Sequence, residues 1–245
     1  MCFVTWHVRK RKDKFNINVA TQMFIRENLQ KVKAALRPEI GLVAVSKFHP
    51  TDVVLEAYEA GQRVFGESHV QELVEKEKVL PKDIEWHFIG HLQTNKVKYM
   101  ASFVSLIHSM DSIKLMKEID KQGKKCGRVI DVLLQIHVAK EETKFGFTPE
   151  EVVQMLAEGE WKNYDHVRVV GLMAMATNTD DEAQIAQEFD IVQRLFETLK
   201  TGYFAGHPEF KELSMGMSGD YLIAQEHGST MVRVGSLIFG ERIYH

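Results

Sequence analysis

The chain has 245 residues, 44% hydrophobic and 27% charged, with a formal net charge of -3. That size suits one large α/β domain or two small ones, and the charge balance gives no general attraction to nucleic acid. Its two cysteines, Cys2 and Cys126, have no zinc-type spacing and fit a reducing, cytoplasmic compartment, and no apolar run nears the ~20 residues that cross a bilayer.

Residues 1–22 contain the basic run Arg9-Lys10-Arg11-Lys12 and no clear periodicity. They read as a solvated extension, with a targeting or nucleic-acid arm as the alternative, and the domain proper is expected over 23–245. An amphipathic helix at Met23–Leu36 opens the domain. Eight short apolar β-type runs follow: Leu42–Ser46, Arg63–Gly66, Trp86–Gly90, Phe103–His108, Val132–Val138, Val167–Met175, Glu212–Met215 and Met231–Phe239. Helical patterns separate them at Thr51–Ala60, His69–Val79, Asn95–Met100, Ser112–Gln122, Pro149–Gly159, Asp181–Leu199 and Asp220–His227. Pro50-Thr51-Asp52, Asp111-Ser112 and Thr148-Pro149-Glu150 read as helix starts, and Gly61, Gly123 and Gly202 as helix ends. Strands alternating with helices predict a parallel sheet. Eight units predict a single (β/α)8 TIM-like barrel with an extra N-terminal helix. An open doubly wound sheet is the alternative, and the absence of GxGxxG after the first strand opposes it.

In such a barrel, functional residues gather at the C-terminal ends of the strands. Lys47 sits at the end of the first run, on the same face as Val43 and Val45. A partly buried lysine there loses charge more easily than one at the ordinary ~10.4, which frees its amine to form a Schiff base with a carbonyl compound such as pyridoxal phosphate. A strand-end lysine snorkelling into solvent fits that segment too. After the seventh run, Leu213-Ser214-Met215-Gly216-Met217-Ser218-Gly219-Asp220 offers small residues and hydroxyls suited to a phosphate, or a plain turn capped by Ser218. Arg233-Val234-Gly235-Ser236 stands on the eighth run and its exit, where barrels often bind phosphate. Arg233 lies on the same strand face as Gly235 and needs an acceptor, an acid or a ligand heteroatom. Glu67 and Ser68, at the end of the second run, are expected to face the mouth. His87 and His91 share a face of the third, where pocket or structural roles outweigh metal binding. Met173, Met175, Met215 and Met217 are expected to fill the core. No Ser-His-Asp order or nucleophile elbow is present.

Together these residues resemble one family closely, the pyridoxal phosphate homeostasis proteins, also called PLP-binding proteins. The matching pieces are Ala44-Val45-Ser46-Lys47, Phe65-Gly66-Glu67, the stretch from Trp86 to Lys96, Lys144-Phe145-Gly146-Phe147, Gly171-Leu172-Met173, Leu213 to Ser218, and Gly228 to Ser236 through Phe239-Gly240. They run in order over nearly all of the chain from about Met23 onward. The resemblance implies a barrel like the N-terminal one of alanine racemase (PLP fold type III), with pyridoxal 5'-phosphate as an internal aldimine on Lys47. It implies that Ser214, Ser218, Gly235 and Ser236 hold the phosphate, that Gly216 belongs with them to the cofactor-binding set, and that Arg233 faces the pyridine nitrogen. A cationic donor at that nitrogen disfavours its protonation and makes the ring a poorer electron sink. Two positions depart from the pattern. Ser68 stands where the family usually has asparagine, which puts a contact to the cofactor ring in doubt, and Ser236 replaces a common threonine while keeping the hydroxyl.

The function so implied is cofactor buffering or delivery, with no catalytic residue and no metal. PLP-dependent apoenzymes are the expected recipients, and a monomer or weak homodimer the expected state. A PLP-dependent amino-acid racemase is the alternative. Alanine racemases draw a second acid/base from an added domain and a partner subunit, and the chain ends at Tyr244-His245, just after the barrel is expected to close. A barrel enzyme binding some other phosphate is a third reading.

Overall fold

A computed structural model describes residues 24–140 and 145–240; the predicted extension and Lys144 lie outside them. A helix over residues 24–35, α1, precedes the barrel. The eight strands are β1 (Gly41–Val45), β2 (Val64–Glu67), β3 (Glu85–Phe88), β4 (Leu106–Met110), β5 (Ile130–His137), β6 (Val167–Met175), β7 (Glu212–Ser214) and β8 (Met231–Val234). They close into a barrel in sequence order, and every neighbouring pair is parallel, β1 with β8 included. The helices are α2 (Thr51–Glu59), α3 (Val70–Val79), α4 (Ile113–Cys126), α5 (Pro149–Glu158), α6 (Glu182–Thr201), α7 (Tyr221–Glu226) and α8 (Ser236–Phe239). Among the described residues, no helix is long and apolar enough to cross a membrane.

Alternation along the strands divides the core in two. Leu42, Ala44, Phe65, Trp86, Phe88 and Ile107 belong to the large cluster that packs the sheet against the helices. Leu106, Leu133, Val170 and Met173, with Met231 against them, form a separate plug. Its members alternate with the outward set, so it fills the barrel interior, as bulky layers do in this fold.

Local chemistry sets most element ends as expected. Thr148 caps α5 in a capping box with Glu151 and Pro149 at the first position, and Ser112 accepts from Leu115 N–H at the start of α4. Three expectations need correction. The eighth apolar run does not stay extended to Phe239: the strand stops at Val234, and Ser236–Phe239 is helical. Gly123 does not end its helix, which runs on to Cys126 and ends at the left-handed Gly127. Gly123 is there for closeness, since a Cβ would lie 2.6 Å from His166 O. The Asn95–Met100 pattern forms a 3-10 segment, Thr94–Tyr99.

Candidate functional site at the C-terminal end of the barrel

Strand β1 hands the chain to a tight turn of Ser46, Lys47 and Phe48. Val43 and Val45 are buried outside the helix-facing cluster, which puts the Lys47 side of the alternation toward the barrel axis. Lys47 itself is half-buried. Phe48 has a φ of 66°, a left-handed conformation found at no other non-glycine among the described residues. The turn is clamped from outside the sheet. Lys76 Nζ, on α3, donates to Ser46 O at 2.8 Å, to Glu67 Oε1 at 2.7 Å and to Glu72 Oε1 at 2.8 Å. Phe48 N–H donates to the same Glu72 oxygen at 2.7 Å, and Ser46 Oγ to Glu67 Oε1 at 2.6 Å. The peptide units on both sides of Lys47 are thus held by two residues one helical turn apart.

Glu67 therefore does not face the mouth. It is fully buried between β2 and α3, and its Oε2 has no partner among the described residues. Burial, opposed by Lys76, pushes its carboxyl up to about 7. Ser68 stays half-buried at the end of β2, its hydroxyl 3.3 Å from His69 Nδ1.

The loops after β7 and β8 meet at the same end. Gly235 N–H points to Ser218 Oγ at 3.3 Å, and Arg233 N–H donates to Gly216 O at 2.9 Å. Gly216 has a φ of +92°, and a Cβ there would lie 2.6 Å from Ala224 Cβ. Gly235 lets β8 approach β1: a Cβ would lie 3.0 Å from Val45 O, two residues before Lys47. Ser236 is exposed and starts α8. Asp220 accepts from Met217 N–H at 2.5 Å and fixes the start of α7; burial raises its carboxyl. Gly216, Ser218, Gly235 and Ser236 are thereby gathered into one cradle of small residues beside the Lys47 turn.

Arg233 is 4% exposed and makes no ion pair among the described residues. Nη1 donates to Ser214 O at 2.9 Å and Ser214 Oγ at 2.6 Å, and Nη2 to Ala174 O at 3.0 Å. Burial, eased by the charge of Asp220, brings its guanidinium down to about 10. Ser214 thus departs from its expected place among the phosphate donors: its hydroxyl is fully buried and taken up by Arg233 and by His108 Nδ1 at 3.1 Å. His87 and His91 part company. His87 is buried, with Nδ1 3.0 Å from His108 Nε2, while His91 is exposed, stacked on Phe145 and 3.3 Å from Asp111. No group of three His, Cys, Asp or Glu residues among those described is arranged for a metal. Met173 and Met215 are buried, as expected of core residues, but Met175 and Met217 are exposed.

Sequence reasoning missed Lys76, Glu72 and His108. Lys76 and Glu72 sit in a charged helical stretch that reads as a solvated face, and His108 is a single polar residue in an apolar run. Only the inward or outward phase of each element reveals them.

Residues 23–243 match the family described as alanine racemase, N-terminal domain. A pyridoxal phosphate homeostasis protein of Aquifex aeolicus is 42% identical over 204 residues, 83% of this chain and 87% of the relative. Its counterpart in Pasteurella multocida is 40% identical over 228 residues, 90% and 95% of the two chains. PipY of Synechococcus elongatus, solved with PLP bound, superposes with a TM-score of 0.79 at 34% identity, covering 88% of this chain and all of that one. With its closed barrel, this chain belongs to the pyridoxal phosphate homeostasis protein family, within the wider family of the alanine racemase N-terminal domain.

Proposed function

We propose that the chain holds pyridoxal 5'-phosphate at the C-terminal end of the barrel, as a Schiff base on Lys47, and serves as a carrier of the cofactor rather than as an enzyme. The observation that carries this reading is Arg233: a guanidinium 4% exposed, without a carboxylate partner among the described residues. Ser214 and Ala174 take three of its five N–H donors, and the two left over are costly to bury without an acceptor. A ring nitrogen is such an acceptor, and the cradle of Gly216, Ser218, Gly235 and Ser236 next to it suits the phosphate of the same molecule. PLP when bound supplies an electrophilic carbonyl and an electron-withdrawing ring. The residues around it favour retention: Lys47 gives the amine, the clamp of Lys76 and Glu72 fixes its turn, and Arg233 keeps the ring nitrogen unprotonated, which weakens the ring as an electron sink.

The relatives' names support the homeostasis reading. On this proposal the recipients are PLP-dependent apoenzymes in the cytoplasm, served by a monomer or weak homodimer. Borohydride reduction of the PLP-treated protein, followed by peptide mass spectrometry, is expected to place the adduct on Lys47. Lys47→Ala is expected to lose both the adduct and the aldimine absorbance while keeping its fold. An unmodified Lys47 in the wild type refutes the reading, and racemisation of alanine at enzyme-like rates refutes the carrier part of it.

A further inference from the structure

Arg233 is the upper end of a hydrogen-bonded chain that descends through the barrel. Its Nη1 meets Ser214 Oγ at 2.6 Å on β7, which meets His108 Nδ1 at 3.1 Å on β4. His108 Nε2 meets His87 Nδ1 at 3.0 Å on β3. The residues are 4%, 0%, 0% and 5% exposed in that order, so solvent contributes little to their pairing. Below them a cavity of about 410 Å³ opens at the N-terminal end of the barrel. Gly41, Val64, Glu85 and Met231, the first residues of four strands, line it together with His87.

The polarity of this chain follows from chemistry. Arginine can only donate, so Ser214 Oγ accepts from it. No other acceptor for the Ser214 O–H is within reach among the described residues, so the hydroxyl donates to His108 Nδ1. The proton of His108 is then on Nε2 and goes to His87 Nδ1, and that of His87 is on Nε2. His87 Nε2 has no partner among the described residues, and the residue lines the lower cavity. Burial holds both rings neutral: His87 falls to about 3 and His108 well below its ordinary value. Neutral rings are what a single donor-to-acceptor direction requires. Of the five N–H donors of a guanidinium, Nη1 and Nη2 commit three within the protein, to Ser214 O, Ser214 Oγ and Ala174 O. The remaining Nη2–H and the Nε–H are left for a ligand.

We propose that His108 and His87 are positioning residues for Arg233, which through Ser214 fix the guanidinium plane and so decide which of its donors meet the ring nitrogen of PLP. This rests on the PLP reading above. It gives a purpose to a pair of buried histidines that packing alone would fill better with apolar side chains, and it makes the cavity at the far end of the barrel part of the same hydrogen-bonded unit.

The test uses the full chain loaded with PLP labelled with 15N in the pyridine ring. The nitrogen shift reads the Arg233 hydrogen bond directly, and a merely structural role for the histidines leaves it unmoved. His108→Phe is expected to move the resonance downfield, toward that of a nitrogen without a donor, and to weaken PLP retention about tenfold. His108→Gln, whose amide both accepts and donates, is expected to restore most of the wild-type shift. His87→Leu, which removes the lower end without touching Ser214, is expected to move the shift in the same direction by less. If His108→Phe does not fold, the His87→Leu shift decides alone. Wild-type shifts in the folded variants overturn the proposal. A wild type that takes up no PLP at Lys47 overturns the reading on which it rests and the proposal with it.

Discussion

The ammonium of Lys76 lies 2.8 Å from the carbonyl oxygen of Ser46, so a residue on the outside of the sheet grips the backbone immediately before Lys47. Glu72, four residues earlier on the same helix, takes the amide immediately after it, at 2.7 Å. The peptide units before and after Lys47 are fixed by an ion-paired helix face, which bears the left-handed turn at Phe48.

Lys76→Met is expected to destabilise the fold by about 3 kcal/mol, because it leaves Glu67 and Glu72 without their cation and Ser46 O without a donor. Urea unfolding measures the loss. Adding Glu67→Leu to the same protein is expected to recover part of it. A second consequence is slower uptake of PLP at Lys47, read from the growth of the aldimine band. Unchanged stability and uptake in the single variant contradict the clamp.

Glu67 gives the clamp a pH dependence of defined sign. Its folded value is raised from 4.5 to about 7, so the folded chain keeps the proton where the unfolded chain has released it. The stability it contributes is fully present below about 4.5 and is lost as pH rises through about 7. Glu67→Gln mimics the protonated form at every pH. Relative to wild type, the variant is expected to gain stability between pH 5 and 8, on the order of 3 kcal/mol at most. Parallel melting curves across that range rule the shift out.

Gly216→Ala is expected to damage the cradle. Its φ of +92° disfavours any side chain, and a Cβ would lie 2.6 Å from Ala224 Cβ and 2.9 Å from Tyr221 Cα. The expected outcome is a loss of about 2 kcal/mol in stability and a PLP affinity lower by at least about tenfold, measured by equilibrium dialysis.

Ser218→Ala separates the cradle from the fold. Its hydroxyl meets the amide of Gly235 at a long 3.3 Å and is half-buried, so the melting temperature is expected to stay within a few degrees of wild type. Retention of PLP on gel filtration is expected to fall about tenfold. Wild-type retention of PLP by the folded variant contradicts the assignment.

Much of the barrel was legible because buried parallel strands are short apolar runs, and capping residues such as Thr148 and Ser112 mark helix starts with their own side chains. The phase of a single residue was harder. Glu67 and Ser68 are adjacent, so the strand's alternation must send one of them away from the mouth, and nothing local says which. Gly123 resembled a helix end because glycine serves close approach and left-handed turns alike, and the distinction rests on His166, far along the sequence. Ser214 carried the signal of a phosphate donor, but its hydroxyl was claimed by Arg233 and His108, which only barrel closure brings beside it.

The pairing of β1 with β8 closes the ring and sets Gly235 against Val45. On the function proposed above, Lys47 follows the first strand and the cradle follows the last two, so the halves of the site are contributed by opposite ends of the domain. On that reading the ring of strands is also a single switch for the site: any opening of the seam between β1 and β8 parts the amine from the seat of the phosphate, so retention of the ligand reports that the circle is closed.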